Sequence, residues 1–204
     1  MASVAASQVV FNEAEHSYTV DGVRWPSVTQ ILDPLLELDG IPRAALEAAA
    51  RFGNHVHQAC HLYDLNRLDE EDLDEPLRPY LEGWKAFLRD TGALVCNSEQ
   101  RVIHPKLRYA GTLDKTILLK ERRHVLDIKS GAQVPPTVGP QTAAYREALL
   151  ESKSVLDCSR TRYCLHLRPD KTYRLHTLND DADFHLFVSA LNIHRWREKY
   201  GRHW

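Results

Sequence analysis

The chain has 204 residues, of which 43% are hydrophobic and 26% charged, a composition suited to a soluble globular fold with one substantial core. No apolar run approaches the length of about 18 residues that a membrane span needs, and MASVAASQVV lacks the basic start and long apolar stretch of a secretory signal, so a cytoplasmic protein without membrane partners is expected. The net charge of −2 conceals a polarity: residues 1–100 hold 7 Lys and Arg against 17 Asp and Glu, and residues 101–204 hold 19 against 11. That asymmetry fits either one basic surface facing a polyanion or a sequence-order effect that folding mixes away.

In chain order, Ser17 to Val20 and Val23 to Trp25 flank Asp21-Gly22 and predict a tight hairpin. Ser27-Val28-Thr29-Gln30 has the form of a capping box and opens a helix expected over 28–37. After Pro42 an Ala-rich helix is expected, broken or bent near Gly53, and the acidic run from Asp69 to Glu75 reads as a solvated loop. Leu77, Leu81, Trp84 and Leu88 lie at helical spacing, so an amphipathic helix follows. From Leu94 the period becomes strand-like, predicting strands near 94–103, 109–119, 124–129, 161–167 and 172–178 and helices near 140–150 and 180–199. The economical architecture is a mixed α/β domain spanning 1–204, with a central mixed β-sheet flanked by helices. Within it, 1–52 supplies the first hairpin and helices, 53–150 the motifs described next, and 151–204 the last strands and helix.

The unusual segment is HVLDIKSG, where Asp127 and Lys129 interrupt an apolar strand although both are costly to bury uncompensated. With its partner strand AGTLDKTILL it forms a hairpin whose turn is expected at Glu121 and Arg122, which sets Asp114 opposite Lys129 and Thr116 opposite Asp127. Alternation then puts Asp114, Asp127 and Lys129 on one face and Leu113, Ile117, Leu126 and Ile128 on the other. Close carboxylates repel unless a cation compensates them, and magnesium, held by one or two carboxylates and several waters, would do so. The alternative is a cross-strand Asp-Lys salt bridge on a wet sheet face.

Gly111-x-x-Asp114 followed by Asp127-x-Lys129 resembles the core of the PD-(D/E)XK nucleases. The upstream Gly53-Asn54-His55-Val56-His57 and the downstream Gln141-Thr142-Ala143-Ala144-Tyr145 match the G-x-x-x-H and Q-x-x-x-Y motifs of its RecB-like branch, in that order. Phage-type exonucleases of this branch tend to begin with a segment like PSVTQIL, present at 26–32. The resemblance implies a restriction-endonuclease-like core and a DNA exonuclease, in a bacterial or phage-infected cell, using one or two Mg²⁺ or Mn²⁺ ions in DNA recombination, repair or phage DNA processing. It implies His57, Asp114, Asp127 and the carbonyl of Ile128 as metal ligands, Lys129 as the catalytic lysine and Glu99 as an acidic group near the metal. Gln141 and Tyr145, one helical turn apart, would meet a DNA strand, the amide by hydrogen bonding and the ring by stacking or touching phosphate. An annealing protein or a helicase is the kind of protein partner implied.

Arg101, Lys106, Arg108, Arg122, Arg123, Arg195 and Arg197 are candidates for phosphate contacts. Cys60, Cys96, Cys158 and Cys164 form no CxxC pair and do not flank the motif region as an iron-sulfur ligand set would, so no cluster is expected. His57, His61 and Asp64 share a helical face and could form a separate metal site, though HxxxH without the Glu of HExxH is a poor signal. A sequence-specific endonuclease with the same core, action on RNA, and a non-catalytic DNA-binding module remain alternatives.

Overall fold

A five-stranded sheet with helices on both faces organises the chain, here a computed structural model that describes residues 9–12, 17–36 and 40–201. A small antiparallel sheet comes first: β1 (Val9–Asn12), β2 (Ser17–Val20) and β3 (Val23–Trp25). Asp21 and Gly22 both have positive φ, 49° and 78°, the conformation a two-residue turn needs to match strand twist. Ser27 caps α1 (Val28–Leu32): its hydroxyl accepts the Gln30 N–H at 3.0 Å, and its own N–H donates to Gln30 Oε1 at 3.1 Å. This helix is shorter than the predicted 28–37, because Pro34 converts the chain to a 3₁₀ turn, Asp33–Leu35. Glu37, like Met1 to Gln8 of the N-terminal segment, lies outside the described residues.

Helix α2 (Arg43–Asp64) runs through Gly53 without the break expected there. Gly53 keeps helical hydrogen bonding, and a Cβ added to it would meet Ser130 Oγ only at an ordinary 3.8 Å. Helix α3 (Arg78–Thr91) buries Leu81, Trp84 and Phe87 and ends at Gly92, whose φ is 66°. The main sheet follows: β4 (Leu94–His104), β5 (Tyr109–Leu119), β6 (Arg122–Lys129), β7 (Arg162–Leu167) and β8 (Tyr173–Leu178), in that spatial order. Only β6 and β7 are parallel, joined by the crossover through α4 (Val138–Glu151), and α5 (Ala182–Tyr200) closes the described chain.

Two apolar layers sandwich the sheet. Val28, Tyr109, Leu113, Val125, Ala144, Leu149 and Phe187 form the layer of α1, α4 and α5. Val56, Cys60, Trp84, Phe87, Ile117, Leu126, Ile128 and Leu165 form the layer of α2 and α3. Cys60, Cys158 and Cys164 are buried and Cys96 is exposed. Among the described residues no helix is long and apolar enough to cross a membrane.

Candidate metal centre

The hairpin that presents the charged groups is shifted by two residues from the predicted register. Its turn is Lys120-Glu121, both at positive φ (50° and 63°), and the pairs run from Leu119↔Arg122 to Lys115↔Leu126. Pairing of Asp114 with Lys129 and of Thr116 with Asp127 is therefore corrected: Thr116 faces Val125, and one step beyond Lys115↔Leu126 the register brings Asp114 level with Asp127. The Ile128 N–H donates to Asp114 Oδ2 at 2.7 Å and fixes that carboxylate over β6. A shift of two does not by itself move a side chain to the other face but changes its neighbour.

Two predicted face assignments fail, those of Leu113 and Asp114. Leu113 packs with Tyr109 and Val28, not with Ile117, Leu126 and Ile128, which lie in the opposite layer. Alternation is broken around Asp114, opposite Glu99, a non-glycine residue at φ 52°; the flanking pairs Ser98↔Lys115 and Gln100↔Leu113 are intact. Local backbone irregularity of this kind re-aims side chains at a sheet, and here Glu99 and Asp114 turn toward α2.

One ligand atom each of His57, Glu99 and Asp114 lies within 4.8 Å of the others. His57 Nδ1 is 3.4 Å from Asp114 Oδ1 and 4.0 Å from Glu99 Oε1. Its Nε2–H donates to the Ile128 carbonyl at 2.9 Å, which fixes the ring and leaves Nδ1 facing the carboxylates. Asp127, 1% exposed, sets Oδ2 2.8 Å from Lys129 Nζ. Lys129 Nζ donates to Gln141 Oε1 at 3.3 Å, and Gln141 Nε2 donates to the Tyr145 hydroxyl at 3.4 Å. His57, Glu99, Asp114, Lys129, Gln141 and Tyr145 line a groove of about 740 Å³ between α2 and α4, whose walls include Thr29, Asn54, Gln58 and Thr112; Asp127 lies behind this lining.

Three carboxylates and two cationic side chains thus compete in one low-dielectric space. Burial raises the Glu99 carboxyl to about 7, with Asp114 adding repulsion. Burial also raises Asp127 to about 6; Lys129 opposes the rise and Asp114 reinforces it. Burial alone would lower the His57 imidazole, but Asp114 outweighs it and the group rises to about 9. Asp114 moves down despite burial, because the His57 imidazolium and Lys129 stabilise its anion. Buried Glu99 Oε1 and Asp127 Oδ1 have no hydrogen-bond partner. Unsatisfied anionic oxygens beside one imidazole nitrogen suit a hard, oxygen-preferring divalent cation such as Mg²⁺ or Mn²⁺.

Two sequence readings need correction. Tyr145 is 3% exposed and its ring packs on Gly111, where an added Cβ would sit 2.6 Å from Tyr145 Cε1. Little of that ring is open for stacking on a nucleobase, though Tyr145 lines the groove and its hydroxyl accepts from Gln141 Nε2. His57, His61 and Asp64 do not share a second metal site either. His61 Nδ1 shares a 2.6 Å hydrogen bond with Ser98 Oγ, while Asp64 accepts from Trp84 Nε1 at 2.9 Å and pairs with Lys115 at 2.6 Å. Lys115, fully buried, also donates to Ser98 Oγ. This network, absent from the sequence reading, holds the residues after Asp114 and before Glu99 against α2; Lys115 beside Asp114 in an apolar strand was its one visible signal.

No family model matches the chain, and no curated protein matches it. Among solved structures, the alkaline exonuclease LHK-Exo from Laribacter hongkongensis is similar at 12% identity, over 82% of this chain and 84% of that one, with a TM-score of 0.40. LHK-Exo in complex with dAMP is similar at 15% identity, over 87% and 94%, with a TM-score of 0.36. Likeness this distant carries no functional argument, so the chemistry has to rest on the site itself.

Proposed function

We propose that the protein is a divalent-metal-dependent nuclease that hydrolyses phosphodiester bonds in DNA, working from strand ends as an exonuclease. The observation that carries this reading is the convergence of His57, Glu99 and Asp114 in an open groove that Lys129 also lines, with Asp127 buried behind the lysine and carboxylate oxygens left unsatisfied. The ordered motifs from Gly53 to Tyr145 support it.

His57 Nδ1, Glu99 and Asp114 would hold one or two Mg²⁺ or Mn²⁺ ions, with Asp127 close behind Lys129, while the Ile128 carbonyl accepts from Nε2 on the far edge of the imidazole. A bound cation of this type polarises a phosphoryl oxygen and lowers the pKa of an attacking water. Lys129 keeps its proton at Nζ, since Asp127 and Asp114 overcome the effect of burial and raise its pKa. From there it orients the water and offsets the charge that grows on the phosphate. Gln141 holds Nζ in place through Oε1 and turns its amide toward the groove. Asp127 anchors the ammonium from the other side.

End-labelled linear DNA and a closed circle, each incubated with Mg²⁺, Mn²⁺ or EDTA, test the reading. Hydrolysis of the linear substrate alone is expected with either metal, with a loss of about 10²- to 10⁴-fold in Lys129→Ala. Cutting in EDTA, or undiminished cutting by Asp114→Asn, rules the mechanism out.

A further inference from the structure

Helix α5 is apolar on two faces. Its inner face buries Phe187, Ala190 and Leu191 against α4 and the sheet. Its outer face exposes Leu186 (49%), Ile193 (53%), Trp196 (54%) and Tyr200 (41%). With Ser189 these residues follow intervals of three and four, the spacing of a coiled-coil seam. A helix apolar all round belongs between two packed layers, and in this chain the outer layer is missing among the described residues.

We propose that this face is the interface of a homodimer in which α5 of one copy packs antiparallel on α5 of a second. The seam is self-complementary in that direction: Leu186 of one copy meets Trp196 of the other, and Ser189 meets Ile193. Ser189 is small and its hydroxyl already donates to the His185 carbonyl at 2.9 Å, so it brings no unsatisfied group into the contact. Asn192, exposed on the flank of the seam, falls beside the two-fold axis, where each amide can donate to the other.

Charge selects the direction. The start of α5 carries Asp180, Asp181 and Asp183, and its end carries Arg197 and Lys199. Antiparallel pairing sets Lys199 of one copy beside Asp181 of the other and aligns opposite ends of the helix dipoles, whereas parallel pairing stacks like charges. Asp181 now pairs with Arg160 at 3.2 Å, but both side chains are largely exposed, so the exchange is cheap. No α5 residue lines the groove of the metal centre, so both sites stay open in the dimer.

Light scattering after gel filtration of the full chain at micromolar concentration is expected to give twice 23.4 kDa. Trp196→Glu, and separately Leu186→Lys, should return the mass to that of one chain with unchanged helicity and unchanged metal-dependent DNA hydrolysis per protomer. Asn192→Cys should form a disulfide-linked dimer on mild oxidation, above the background of wild type with its exposed Cys96. A monomeric wild type, or self-association that survives Trp196→Glu, overturns the proposal. Loss of association in Trp196→Glu, with no cross-link gained by Asn192→Cys, overturns the antiparallel pairing.

Discussion

Replacing Asp127 by Asn should make the metal-free protein more stable. Asp127 is buried, and its carboxyl rises from an ordinary 3.8 to about 6 through burial, an effect that Lys129 reduces and Asp114 enlarges. An acid raised in the folded state removes stability as pH climbs from about 4 to about 6, and the full loss persists above that window. At about 1.4 kcal/mol per pH unit, keeping Asp127 ionised at pH 8 costs about 3 kcal/mol. Asn cannot ionise, and its amide can donate to the neighbouring carboxylates. In EDTA at pH 8 the variant should therefore gain up to about 3 kcal/mol, or roughly 6 °C in Tm for a chain of this size. Divalent cation reverses the order: at about 100 times its Kd it adds about 2.7 kcal/mol to wild type, a gain the variant loses in large part. Scanning calorimetry of both proteins, with EDTA and with Mn²⁺, measures each quantity. A Tm in EDTA that falls on substitution would refute the claim that this carboxylate is held ionised against its environment, and equal Mn²⁺ stabilisation of the two proteins would remove Asp127 from the cation site.

Other consequences are open to direct measurement. Lys115→Met strands the buried Asp64 carboxylate and should cost about 3 to 5 kcal/mol in urea unfolding, while the added Asp64→Leu should restore much of it. Gly111→Ala forces a Cβ to within 2.6 Å of Tyr145 Cε1 and should destabilise the fold by about 1 to 3 kcal/mol, with relief when Tyr145→Leu is combined with it. His57 and Glu99 must lose protons to bind a cation, and theirs are held up to about 9 and about 7, so Mn²⁺ affinity by isothermal titration should rise steadily from pH 6 to 9. His57→Ala should flatten the alkaline part of that rise.

Periodicity, capping and turn chemistry are local properties, and the elements they specify were legible in the amino-acid sequence: the capping box at Ser27, the Asp21-Gly22 turn, the main strands and the last two helices. The common direction of Asp127 and Lys129 was legible too, because a shift of two residues preserves side-chain direction, whereas the turn of Asp114 toward α2 was not. The register itself was not, since Lys120 and Glu121 take positive φ without the Asn or Gly that marks such turns. Nor could alternation foresee the reversal at Glu99 and Asp114, or that Tyr145 would fill the space left by Gly111. Those outcomes depend on what lies across the sheet. The Lys115–Asp64 pair draws one side of the irregularity toward α2, the Ile128 N–H holds Asp114, and the Ile128 carbonyl turns His57 Nδ1 to face it. Residue types and intervals along the chain determine which groups can meet; the partners that desolvate and orient them come from distant segments, and only tertiary packing decides that they do.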